Sequence, residues 1–100
     1  NPNEIITEEV AVNEVEDKYK EFYYLYKEHK YQETVKVIVD YLPTIQNSKL
    51  IPKFELLRAY AIGKYTDEKA YKFALESVAI KYANTEEGKK AREIVKQLNK

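Results

Sequence analysis

The stretch Tyr60–Leu75 reads YAIGKYTDEKAYKFAL and contains Gly63, one of only two glycines in the chain. Apolar residues recur at helical spacing on both sides of it. A helix must therefore stop and restart within about four residues, which constrains the chain to helices joined by tight turns. The expected device is a C-cap at Gly63, since glycine takes the left-handed conformation without steric penalty. Thr66 or Asp67 then accepts the free N–H groups of the next helix. Helices joined this closely pack antiparallel, as a hairpin.

The same pattern extends along the chain. In NEVEDKYKEFYYLYKEH, residues 13–29, Val15, Tyr19, Phe22, Tyr23 and Tyr26 share one helical face. Asn13 with Glu16 reads as a capping box, and Thr7 is the alternative start. Residues 1–12 are expected to be a loosely ordered lead-in to a helical domain over 13–100. In YQETVKVIVDYL, residues 31–42, one face is Val35, Ile38, Val39 and Leu42, and a second holds Val37 and Tyr41. Pro43 ends that helix, because proline disfavours a helical residue before it. The following PTIQNSK reads as a loop.

Pro52 opens the next helix, where a missing N–H costs nothing. Phe54, Leu57 and Ala61 point one way and Leu56, Ala59 and Tyr60 another, so this helix is expected at the centre. The helix after Gly63 carries Ala70, Phe73, Ala74, Ser77 and Val78 on one stripe. The last helix is capped by Asn84 or Thr85, with Glu86 and Glu87 at its positive end. Its single stripe of Ala91, Ile94, Val95 and Leu98 suits a helix that caps an array.

Composition excludes several classes. Seventeen basic and seventeen acidic residues cancel, so the whole chain has no bias toward nucleic acid or an anionic membrane surface. Their distribution is uneven. Residues 1–40 hold ten acids and five bases, a net of −5, and residues 41–100 hold seven acids and twelve bases, a net of +5. Oppositely charged ends permit head-to-tail self-association, but the favoured reading is ordinary solvated faces. There is no cysteine, so there is no disulfide and no thiolate metal site. No apolar run approaches the ~20 residues that span a bilayer. The chain starts without methionine or a signal peptide and is read as a piece of a longer protein.

Two turns can be laid over each other. With His29 of YKEHKYQETV on Gly63 of YAIGKYTDEKA, Lys30 falls on Lys64, Tyr31 on Tyr65 and Glu33 on Asp67, an offset of 63 − 29 = 34 residues. That period, the small–x–Tyr turn and Ala70 beyond it resemble the tetratricopeptide repeat, a helix–turn–helix unit. His29 stands where the family has glycine, and Thr34 where it has alanine. A narrower resemblance covers roughly residues 14–98. LIPKFELLRAYAIGK and ALESVAIKYANTEEGKKAREIVKQL look like the repeat region of Bacteroidetes envelope lipoproteins of gliding motility and type IX secretion, which have proline where Ala83 stands. The resemblance implies an all-α superhelix of antiparallel hairpins with a C-terminal capping helix. It also implies a scaffold at the periplasmic face of the outer membrane, whose lipid anchor and targeting signal lie outside this segment.

The residues offer no reaction. His29, the only histidine, stands at a helix end, where it serves terminal carbonyls. Ser48 lies in a loop and Ser77 on a packed stripe, and neither has a glycine-rich elbow. Two glycines 25 residues apart make no phosphate loop. Glu14, Glu16, Asp17 and Glu21 lack metal-loop spacing and read as a solvated face. No catalytic, metal or cofactor site is expected. Lys89, Lys90, Arg92, Lys96 and Lys100 make the last helix basic, a solvated face diluted by glutamates. Ten tyrosines and no tryptophan are the unusual feature. Tyrosine pairs a large apolar body with a polar tip, useful in cores and at binding surfaces. Tyr19, Tyr23 and Tyr26 read as packing. Tyr24, Arg58 and Tyr60 are the candidate partner-binding residues, with Tyr60 expected on the inner surface beside Arg58. The expectation is a non-catalytic scaffold or adaptor. The alternatives are a peptide-binding groove and a spacer or self-association element.

Overall fold

The computed structural model describes the backbone from Pro2 to Lys100 and side chains from Asn13 onward. Five α-helices follow in order: α1 Pro2–Lys27, α2 Tyr31–Tyr41, α3 Ile51–Tyr65, α4 Glu68–Lys81 and α5 Glu86–Leu98. A 3₁₀ turn, Leu42–Ile45, continues from α2, and there is no strand among the described residues. Each helix packs on the next, which makes successive hairpins. α3 also packs on α1 and on α5, whereas α2 and α4 make no comparable contact. The odd-numbered helices thus form one layer and α2 and α4 the other, as expected of an all-α hairpin array.

α3 is central because it is apolar on two sides. Phe54 and Leu57 join Val15, Phe22 and Ile38 in one core cluster. Leu56 and Ala59 join Ala74, Leu75, Val78 and Ala91 in another. The first is largely aromatic: the Phe54 ring meets Tyr19 edge-on at 5.4 Å and Phe22 at 5.9 Å. The second is aliphatic and includes three alanines, Ala59, Ala74 and Ala91, one each from α3, α4 and α5. α5 presents Ala91, Ile94, Val95 and Leu98 to that cluster and charge to solvent, as its single stripe requires.

Gly63 is the main correction. It does not cap α3, which continues to Tyr65, and no glycine has a positive φ. A Cβ on Gly63 would lie 2.5 Å from Cδ1 and 2.7 Å from Cγ of Tyr71. The glycine is there to let the Tyr71 ring of α4 lie against α3. The left-handed residue is His29, with φ 67°, between α1 and α2. The overlay of His29 on Gly63 therefore pairs two turns of different geometry. The helices after them begin at Tyr31 and Glu68, an offset of 68 − 31 = 37 residues rather than 34.

Other details also differ from the sequence reading. α1 runs through Asn13, so Asn13 and Glu16 form no capping box; the Thr7 side chain and those of the expected lead-in lie outside the described residues. Asp67, not Thr66, caps α4, its Oδ1 accepting from the Ala70 N–H at 2.8 Å. Thr85, not Asn84, caps α5, accepting from the Gly88 N–H at 3.0 Å. Part of the expected loop PTIQNSK is the 3₁₀ turn, which admits Pro43 at its start. Pro52 lies in the first turn of α3. In α2 the buried residues are Thr34 and Ile38, while Val39 is exposed. In α4 the inward stripe is Ala74, Leu75 and Val78, while Phe73 and Ser77 face out. Both stripes are rotated from the expected ones, because each of these helices has apolar residues around most of its circumference and spacing alone does not choose among them.

Candidate protein-interaction face

Tyr19, Tyr23 and Tyr26 follow one another at i, i+4 and i+7, so α1 presents them as a ladder. The Tyr19 and Tyr23 rings stack at 6.1 Å with an interplanar angle of 21°, and Tyr26 follows Tyr23 at 6.2 Å. Lysines sit over the ladder: Lys53 Nζ is 4.6 Å from the Tyr19 ring centre and Lys27 Nζ is 5.9 Å from that of Tyr23. Such contacts hold the cations against the ring faces. Tyr60 of α3 extends the row. It lines a cavity of about 380 Å³ with Tyr26, Gly63, Lys64, Tyr71 and Ile94. A neighbouring cavity of about 420 Å³ continues over Glu86, Lys90 and Ile94 toward α5. The result is a tyrosine–lysine face running across α1, α3 and α5.

Burial further disfavours ionisation of several phenols on this face. Burial, then the neighbouring Tyr23, Tyr60 and Glu87, push the Tyr19 hydroxyl up to about 12. Burial likewise raises Tyr26, Tyr60 and Tyr71. Among the described residues no group hydrogen-bonds to the Tyr19, Tyr23, Tyr26 or Tyr60 hydroxyl. The face therefore offers neutral O–H donors, ring faces and lysine cations to whatever lies on it.

Tyr24, Arg58 and Tyr60 lie on three separate surfaces. Tyr24 is 64% exposed and off the ladder. Arg58 is not beside Tyr60: two positions apart on a helix means about 200° around its axis. Arg58 instead lines cavities with Val39 and Lys81 on one side and with Ile62 and Phe73 on the other. The sequence reading favoured packing for Tyr19, Tyr23 and Tyr26, and Tyr19 and Tyr26 do pack against the first core cluster, while each keeps part of its surface in solvent. Tyr23 is 42% exposed and the other two only half-buried. Their shared ladder spacing and the lysines at 27, 53 and 64 were the available signal. His29 is exposed and stacks on Tyr31 at 5.6 Å. Among the described residues no three His, Asp or Glu gather as a metal set, and no helix is long and apolar enough to cross a membrane.

Comparison of the chain with protein-family models, with curated proteins and with solved structures gives no match.

Proposed function

We propose that this chain is a non-catalytic protein-interaction module, a scaffold or adaptor that holds a segment of a partner protein on its tyrosine–lysine face. The observation that carries the reading is the continuity of that face across α1, α3 and α5. Rigid aromatic rings give large contact area at little entropic cost, and tyrosine is enriched where interfaces concentrate their energy. Each odd-numbered helix contributes to the surface, which is how hairpin arrays build extended binding faces. The tetratricopeptide kinship belongs to the same proposal, supported by the two-layer order of the helices. The phrases PKFELLRAYAIGK and KYANTEEGKKA support a further step, to an envelope lipoprotein that faces the periplasm and serves secretion or gliding motility.

The test is affinity capture from a detergent-solubilised envelope extract, using the wild-type chain and a Tyr23→Ser, Lys53→Glu variant. One defined protein retained by the first and lost by the second is the expected result. Equal retention by both, or nothing retained by either, refutes the role of this face.

A further inference from the structure

The opposite side of α3 is the floor of an open trough. Ile51, Glu55, Arg58 and Ile62 recur at i, i+4, i+7 and i+11, one line about 16 Å long at ~1.5 Å per residue. All four are only half-buried. α2 and α4 are the walls, and the absence of close packing between them leaves the line uncovered. Two cavities, about 940 Å³ and 550 Å³, open along it and meet at Arg58. The walls are apolar where solvent reaches them: Val39 of α2 is 48% exposed, and Phe73 of α4 72%. Ile80, two turns beyond Phe73, is 80% exposed. Exposed apolar residues grouped around a groove mark an interaction site more often than scattered ones do.

Charge identifies the occupant. The carboxylates along the trough are engaged within the chain: Glu55 reaches Arg58 at 3.9 Å, and Asp67 caps α4. Lys49, Lys69 and Lys81 line the same cavities and form no ion pair among the described residues. Arg58 Nε is buried without a hydrogen-bond partner. The three lysines outnumber Asp67, the one carboxylate of these cavities outside the Glu55–Arg58 pair, so the net charge is positive, beside apolar walls and a floor in which Ile51 and Ile62 flank that pair. We propose that this trough docks an acidic amphipathic helix of a partner protein, separately from the tyrosine–lysine face. A helix fits because it presents apolar residues at i, i+3/i+4 and i+7 to the trough while carrying carboxylates on its flanks. Flanking carboxylates on that helix reach the three lysines, and a central one shares the Arg58 guanidinium with Glu55.

The probe is a fluorescein-labelled synthetic helix of about four turns, with leucines on one stripe and glutamates flanking them. A twin carries lysine in place of every glutamate. Fluorescence anisotropy is expected to show the glutamate peptide binding at least about tenfold more tightly than its twin, because like charges oppose docking. Phe73→Ser is expected to abolish that binding without moving the thermal transition, since the side chain is mostly in solvent. Arg58→Gln is expected to narrow the preference between the peptides, and Tyr23→Ser to leave it unchanged. Equal binding of the two peptides, or unchanged binding to Phe73→Ser, overturns the proposal. Sedimentation of the chain alone supplies the remaining check. A wild-type dimer that Phe73→Ser dissociates places a second copy in the trough and overturns the partner assignment.

Discussion

Alanine at Gly63 tests the packing of α3 on α4 directly. Gly63 is helical, and glycine inside a helix costs about 0.5–1 kcal/mol relative to alanine. On propensity alone Gly63→Ala stabilises. The new methyl would, however, lie 2.5 to 2.9 Å from three atoms at the root of the Tyr71 ring. Those atoms do not swing aside as a flexible chain end would, so Tyr71 or the helix must shift, at about 1–3 kcal/mol. The net expectation is a loss of about 1 kcal/mol. With Tyr71→Ala the obstruction is gone, and the same Gly63→Ala substitution is expected to gain about 1 kcal/mol. The substitution thus changes sign with its background, a coupling of about 2 kcal/mol. Urea unfolding of the four proteins, followed by far-UV circular dichroism, measures it. Gly63→Ala that stabilises the wild-type background refutes the close approach. Gly63→Ala that destabilises both backgrounds equally would instead restore a left-handed cap, which the helical backbone contradicts.

Three further outcomes follow from the same geometry. Gly88→Ala is expected to cost more than Gly63→Ala, about 2–3 kcal/mol by the same unfolding assay, because the added methyl would run into the Tyr82 backbone carbonyl, which cannot rotate away. His29→Gly is expected to raise the unfolding midpoint by about 0.5–1 kcal/mol of stability and His29→Val to lower it, because φ 67° is costly for a side chain branched at Cβ. The raised tyrosines set a base limit on stability: Tyr19 titrates near 12 in the folded chain and at its ordinary value of 10.0 when unfolded, so stability falls as pH rises from 10 toward 12. Tyr26, Tyr41, Tyr60 and Tyr71 shift in the same direction, and Tyr19→Phe is expected to flatten the fall measured by thermal melts across that range.

Helix existence was legible in the sequence because periodicity and chain breaks report it locally. Pro43, Pro52 and the apolar spacing place α2, α3, α4 and α5 to within a few residues. Rotation about each axis was less legible. α3 was assigned correctly because its two apolar faces, Phe54/Leu57 and Leu56/Ala59, are separated by charged and polar positions. α4 was not, because Phe73 and Ile80 continue its apolar surface past the core-facing Ala74, Leu75 and Val78. Sequence spacing cannot distinguish an apolar residue that packs within the chain from one left in solvent; only the position of the neighbouring helix does. Glycine was misread for a related reason. A turn residue and a close-contact residue look the same in one dimension, and Tyr71, which decides the case, lies eight positions downstream on another helix.

The two open surfaces have one origin in this layering. α3 lies between α1 and α5 in its own layer and under α2 and α4 in the other, so its circumference is divided among two cores and two exposed lines. Tyr60 stands on one line and Arg58 on the other, separated by about 200° of a single helix. The buried α3 residues of the two clusters are Phe54, Leu57, Leu56 and Ala59, while Tyr60 and Ile62 pack against the second cluster only at its edge. The two lines differ in chemistry: one is aromatic with lysines over it, and in the other Ile51 and Ile62 flank a Glu55–Arg58 pair, beside lysines that form no ion pair among the described residues. If the two proposals hold, this division puts unlike docking surfaces on opposite sides of one helix, and loss of peptide binding in Phe73→Ser with unchanged capture on the tyrosine–lysine face would separate them.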